Sequence, residues 1–145
     1  MDRIRIGKVE PAGYKAIVGL HEHVEAAVDQ HLNDLVKLRA SQINGCAYCI
    51  DEHWREAREH GEPERRLYQL DAWRETPFYS DRERAVLALT EAVTLVREGH
   101  VPDDVYEEAS RHFSPQELAN LILAIVTINA WNRIGISTRM GLASG

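Results

Sequence analysis

Apolar residues recur along this chain three and four positions apart, the spacing of a helix face, and no stretch alternates as a half-buried strand would. Over about 12–30, the stripe Tyr14, Ile17, Val18, His21, Val24 and Val28 predicts a first helix. Leu32, Leu35, Val36, Ala40 and Ile43 form the inward face of a second, over about 33–42, and Asn44 with Gly45 then breaks the chain. A third helix over about 46–60 stops at Gly61, a residue suited to the left-handed position after a helix. Pro63 fits the first turn of a fourth, about 64–75. Ser80 and Glu83 form a capping-box pattern for a fifth that ends near Gly99, and Pro102 opens a short sixth. Ser114, Pro115 and Glu117 then start a long last helix that runs to about Met140. The expectation is an all-α helical bundle of about six to seven helices in a single domain, residues 1–145, without repeats or low-complexity linkers.

Composition narrows the function classes. With 145 residues, 44% hydrophobic and 28% charged, the chain suits one domain with a real core. Its net charge of −6 comes from interspersed acidic and basic residues, which leaves no basic face for nucleic acid or anionic lipid. No nucleic-acid and no membrane partner is expected. The start, "MDRIRIGKVE", has no apolar run behind its basic residues, so a cytoplasmic protein is expected. The most apolar segment, Leu118 to Trp131, is interrupted by Asn120, Thr127 and Asn129, and reads as a buried core helix too short to span a membrane.

Candidate chemistry concentrates in "SQINGCAYCIDEH", Ser41 to His53, which holds both cysteines. On a helix, Cys46, Cys49, Ile50, His53, Trp54 and Ala57 share one face, while Asp51, Glu52, Arg55, Glu56, Arg58 and Glu59 form the charged one. The thiolate is the reactive form of cysteine. The positive end of the helix favours a thiolate at Cys46, whereas His53, one turn after Cys49, favours one there. Once either sulfur is oxidised to a sulfenic acid, the other can condense with it to a disulfide. The rival readings are a structural staple, half of a metal site completed by His21, His31, Asp34 or Asp51, or two inert buried thiols. A staple across so small a loop adds little, and a second cysteine pair for zinc is lacking, so no metal and no bound cofactor are expected.

The segment "DLVKLRASQINGCAYCIDEH" resembles the core motif of AhpD-like alkylhydroperoxidases within the carboxymuconolactone decarboxylase family: a glutamate, eleven residues, then C-x-x-C-x-x-x-H. The match is tightest over 34–61, and "NAWNR", Asn129 to Arg133, is similar to a late-helix segment of one subgroup. The resemblance implies a thiol peroxidase that reduces organic hydroperoxides and is reset by a dithiol reductant, a lipoylated or thioredoxin-like protein. It implies Cys49 as the sulfur that attacks peroxide, Cys46 as the resolving sulfur, His53 as the base, and a homotrimer or homohexamer. Asp34 stands where the family motif has glutamate. It keeps the charge with a shorter reach, so its relay to His53 would need a water or be weakened. A cap role for Asn33 or Asp34 at a helix start is the plainer alternative.

Around this core, Ser41 and Gln42 are expected to satisfy backbone groups near a helix end. Tyr48 and Trp131 read as packing residues, Arg133 as a surface one, and His21 and His31 as bystanders. Asn129 and Asn132 continue an apolar face and need partners, from a pocket or a subunit contact. Two rival functions remain: a non-catalytic redox sensor on the same scaffold, and a decarboxylase of the type that names the wider family.

Overall fold

The computed structural model describes residues 2–141, and among these the chain is helical with no strand. In order the elements are α1 (Ile6–Val9), α2 (Pro11–Ala27), α3 (Gln30–Asn44), α4 (Ala47–Glu59), α5 (Glu64–Tyr68), a 3₁₀ segment (Leu70–Glu75), α6 (Asp81–Thr94), α7 (Asp103–His112) and α8 (Pro115–Thr138). The all-α expectation is met. Residue 1 and residues 142–145 of the expected domain lie outside the described residues.

The differences from the periodicity are local. The first long helix stops at Ala27 because Val28 turns extended and the Asp29 carboxylate accepts the Leu32 N–H at 3.1 Å, capping α3. Asn33 and Asp34 therefore sit inside α3, and the cap role considered for them belongs to Asp29. The expected fourth helix divides at Gln69 into α5 and the 3₁₀ segment, where Ala72 leaves helical geometry. The fifth ends at Thr94, short of Gly99. Both capping boxes form, with Ser80 and Ser114 accepting the N–H groups of Glu83 and Glu117.

Two apolar clusters meet on α3, and this sets up the site. On one side Leu32, Val36 and Ala40 pack with Val24, Val86, Leu89, Leu121, Ile125 and Ile128. On the other, Leu35 and Leu38 pack with Ala57, Leu67, Leu70, Trp73 and Leu87. With a core on both sides, α3 buries its polar residues too: Asn33, Asp34, Lys37 and Ser41 are each at most 6% exposed. α8 lies against α2, α3 and α6. Its 24 residues as a whole are long and apolar enough to cross a membrane by length and composition, although the most apolar stretch, Leu118 to Trp131, is shorter than a span. Its buried Leu118, Leu121, Ile125 and Ile128 agree with the core reading, while Leu123, Val126 and Ile136 face outward.

Candidate active site around the cysteine pair

Asn44 and Gly45 end α3 with Gly45 in the left-handed region at φ 69°, and the chain enters α4 with Cys46 as its N-cap. Cys46 thus stands just before the helix, in extended geometry. Its N–H donates to the Ser41 carbonyl at 3.1 Å, and its Sγ accepts the Cys49 N–H at 3.3 Å. Cys46 and Cys49 are joined in a disulfide across a Cα separation of 5.3 Å, and both are buried.

The buried amides of α8 hold this corner in place. Asn44 Nδ2 donates to Asn129 Oδ1 and Asn132 Oδ1, both at 2.9 Å, and Asn132 Nδ2 donates to Ser41 Oγ at 3.0 Å. Asn129 Nδ2 donates to Thr94 Oγ1 and to the Ile125 carbonyl. The partners expected for these amides therefore come from the same chain. Ser41 Oγ donates to the Lys37 carbonyl, as expected for a residue serving the backbone. Gly135 completes the arrangement, because a side chain there would begin 3.2 Å from Cys46 Sγ and 3.6 Å from Cys49 Sγ. Any side chain there would press the sulfurs and α8 apart by a few tenths of an ångström.

His53 is buried one turn after Cys49, and its carboxylate partner differs from the expected one. His53 Nδ1 lies 2.9 Å from Glu56 Oε2 on the same helix, whereas Asp34 Oδ2 lies 2.7 Å from His60 Nδ1. The direct partner of Asp34 is therefore His60 and not His53, and a longer path through Lys37 and Glu56 joins Asp34 to His53. Lys37 Nζ donates to Glu56 at 3.1 Å and to Glu25 at 3.0 Å, and sits 4.0 Å from Asp34 Oδ1. Asp34 instead finds the imidazole of His60, just past the end of α4. Glu56, read as part of the solvent face, is three positions after His53 and bends back to it, a spacing that could have pointed to the pair.

The charges in this row interlock. The hydrogen bond from His53 and the nearby Lys37 charge hold the Glu56 carboxyl at about 2, against an ordinary 4.5. An ionised Glu56 can only accept, so Nδ1 carries the proton and Nε2 is left as the acceptor of the ring. Burial works against the Lys37 charge, but the bonds to Glu25 and Glu56 outweigh it and its pKa is raised. Burial pushes Asp34 above the usual carboxylate range in spite of His60 and Lys37.

Because its folded pKa lies below its unfolded one, Glu56 contributes stability above about pH 4.5, and this is lost as pH falls through about 2. Glu56→Gln should then be less stable than wild type at pH 6, with the gap shrinking from about pH 4.5 downward and closing only near pH 2. With the Glu56 side chain 36% exposed, solvent screening reduces the gap to about 1–2 kcal/mol. Urea titrations at pH 6, 4 and 3 measure it, and parallel curves at every pH would contradict the pairing.

The other candidates lie apart. His21 is 3.8 Å from Glu25, and His31, largely exposed, is 3.8 Å from Glu62. Asp51 pairs with Arg55 at 2.7 Å on the solvent side. Among the described residues no three His, Cys, Asp or Glu side chains are grouped to hold a metal ion. Trp131 stacks edge-on with Tyr14, Arg133 donates to Asn129, and Gln42 accepts from Arg39. Tyr48 is half-buried, and the charge of nearby Glu52 raises its pKa. Glu25, Lys37, Glu56, His60 and Gly135 are the site residues that pattern reading missed.

Comparison with known proteins places the chain. Residues 11–92 match the carboxymuconolactone decarboxylase family. The uncharacterized protein YdfG of Bacillus subtilis (strain 168) is 39% identical over 136 residues, 93% of this chain and 92% of that protein. A crystal structure from Agrobacterium tumefaciens, of a protein of unknown function described as a candidate AhpD antioxidant defence protein, superposes with a TM-score of 0.96. It is 38% identical and covers 100% of both chains. The debrominase Bmp8 shares the fold, with a TM-score of 0.85 at 20% identity over 96% of this chain and 75% of its own. With the helical bundle, the cysteine pair and these matches together, the chain belongs to the carboxymuconolactone decarboxylase family and has its AhpD-like fold.

Proposed function

We propose that this protein is a thiol-dependent alkyl hydroperoxide reductase that cycles the Cys46–Cys49 disulfide. The observation that carries the reading is a bonded cysteine pair at the start of α4, with a carboxylate-bound histidine one turn further on. In the reduced protein His53 takes the Cys49 proton, and the thiolate attacks the terminal peroxide oxygen. The O–O bond breaks, the alcohol leaves with a proton, and Cys49 becomes a sulfenic acid. Cys46 attacks that sulfur and expels water, leaving the disulfide. One hydroperoxide and two thiols thus become one alcohol, one water and one disulfide. A dithiol donor, lipoylated or thioredoxin-like, then returns two electrons and is itself oxidised.

The Cys46 cap geometry suits it to the resolving role. Its sulfur sits where helix N–H groups stabilise a thiolate, which helps both its attack on Cys49 and its departure when a donor thiol attacks Cys49. A cytosolic setting fits a disulfide that must be reset at each turnover. The apolar outward face of α8 supports a homotrimer or homohexamer, and light scattering that gives a monomer at micromolar concentration would remove that proposal.

Thiol titration of the reduced protein before and after cumene hydroperoxide, followed by steady-state assay with a lipoyl dithiol, tests the function. Loss of two thiols per chain with sustained turnover is expected. Oxidation once without turnover would make the protein a sensor, and thiols that stay reduced would remove both readings. Glu56 acts as a positioning residue for His53. Glu56→Gln should lower kcat/KM by about tenfold or more and slow iodoacetamide alkylation of Cys49 near neutral pH, whereas Asp34→Asn should change the alkylation rate by less than about threefold. The reverse order would return the relay to Asp34.

A further inference from the structure

A cavity of about 570 Å³ lies between the N-terminal segment, the start of α2, Tyr48 and the end of α8. This volume is in the range of small-molecule sites. Arg3, Arg5, Lys8 and Arg139 line it, with Asp2 as the one acidic residue. The chain as a whole carries −6, so three net positive charges around one groove reverse the local field. Arg3 is anchored, donating to the Ser137 carbonyl at 2.9 Å. Among the described residues the four cations belong to no ion pair, while the buried Lys37 and the half-buried Arg66 each have carboxylate partners.

Most of the rest of the lining is apolar, with Ile4, Ile6, Tyr14, Tyr48, Ile134 and Met140 beside Thr138. The groove also reaches the redox pair. The point where a Gly135 side chain would begin is 3.9 Å from Met140 Sδ and 3.2 Å from Cys46 Sγ, so Met140 separates the groove from the disulfide by about one side chain. Met140 is 43% exposed and flexible enough to move aside.

We propose that this groove binds amphipathic carboxylic acids, with the carboxylate among the N-terminal and Arg139 cations and the hydrocarbon tail against the tyrosines and Met140. The inference rests on the hydroperoxide reading and gives its substrate class: an acid bearing an alkyl hydroperoxide, with the peroxide directed to the buried sulfurs. The acid leaves as the corresponding hydroxy acid, its O–O bond reduced as the two cysteines are oxidised. A neutral hydroperoxide of the same length lacks the charged anchor.

Binding of cis-parinaric acid and of its methyl ester, followed by fluorescence, tests the groove without any redox step. The acid should bind at least tenfold tighter than the ester, the preference should shrink with added NaCl, and Arg5→Gln with Lys8→Gln should reduce it at least fivefold. Equal binding of acid and ester, or a preference that the double variant leaves intact, would overturn the proposal. The kcat/KM ratio of linoleic acid hydroperoxide to its methyl ester then links groove to site, and should exceed ten in wild type. Tight, salt-sensitive acid binding without turnover of either hydroperoxide would support the groove and remove the peroxidase reading. Turnover with no acid preference in binding or rate would keep the peroxidase and overturn the groove.

Discussion

Cys49→Ser is expected to lose hydroperoxide turnover by on the order of 10³ or more, because the serine hydroxyl cannot supply the nucleophile that a thiolate does at neutral pH. Cys46→Ser should behave differently. Its Cys49 remains beside His53 and should consume about one equivalent of hydroperoxide, then stop as a sulfenic acid that dimedone traps. Stopped-flow consumption and intact mass separate the two variants. The prediction tests two local effects against each other. Helix-end stabilisation acts on Cys46, whose Sγ already accepts the Cys49 N–H at 3.3 Å, and the imidazole acts on Cys49. A reactive Cys49→Ser beside an inert Cys46→Ser would show that the helix end prevails and would exchange the two roles.

Removing the central cation should have the largest effect on stability. Lys37 is 6% exposed and holds Glu25 and Glu56 by hydrogen bonds, with Asp34 4.0 Å away. In Lys37→Met the buried carboxylate of Asp34 and the half-buried one of Glu56 lose this compensation. The expected cost is about 3 kcal/mol, read as a fall in Tm of roughly 6–12 °C at neutral pH. Part of the loss should return in Lys37→Met with Glu56→Gln, because that pair removes the charge left behind. A single variant as stable as wild type would mean that water already reaches the row of charges.

These two predictions differ in what made them visible. The cysteine pair, His53 one turn later and the all-α architecture follow from spacing along the chain, since helix periodicity, capping boxes and turn residues are local and α4 carries its reactive face by itself. Element boundaries were less legible where short-range choices compete, as at Asp29 against Asn33 and Asp34, or at the Gln69 break. Trp131 and Tyr14 meet as packing residues across α2 and α8.

What the chain alone determined is therefore the helical scaffold and the face on which the cysteine pair sits. Tertiary structure decided which carboxylate serves the histidine, because that depends on how deeply α3 is buried between two cores. An aspartate twelve positions before Cys46 looks like a relay partner on the line of the sequence, yet packing aims it at His60 while Glu56 and Lys37 close around His53. Tertiary structure also brought Gly135 against the sulfurs and gathered Arg3, Arg5, Lys8 and Arg139 around one groove, although they come from opposite ends of the chain. Distance along a sequence carries no information about such meetings, which are set by the side chains that fill the space between helices.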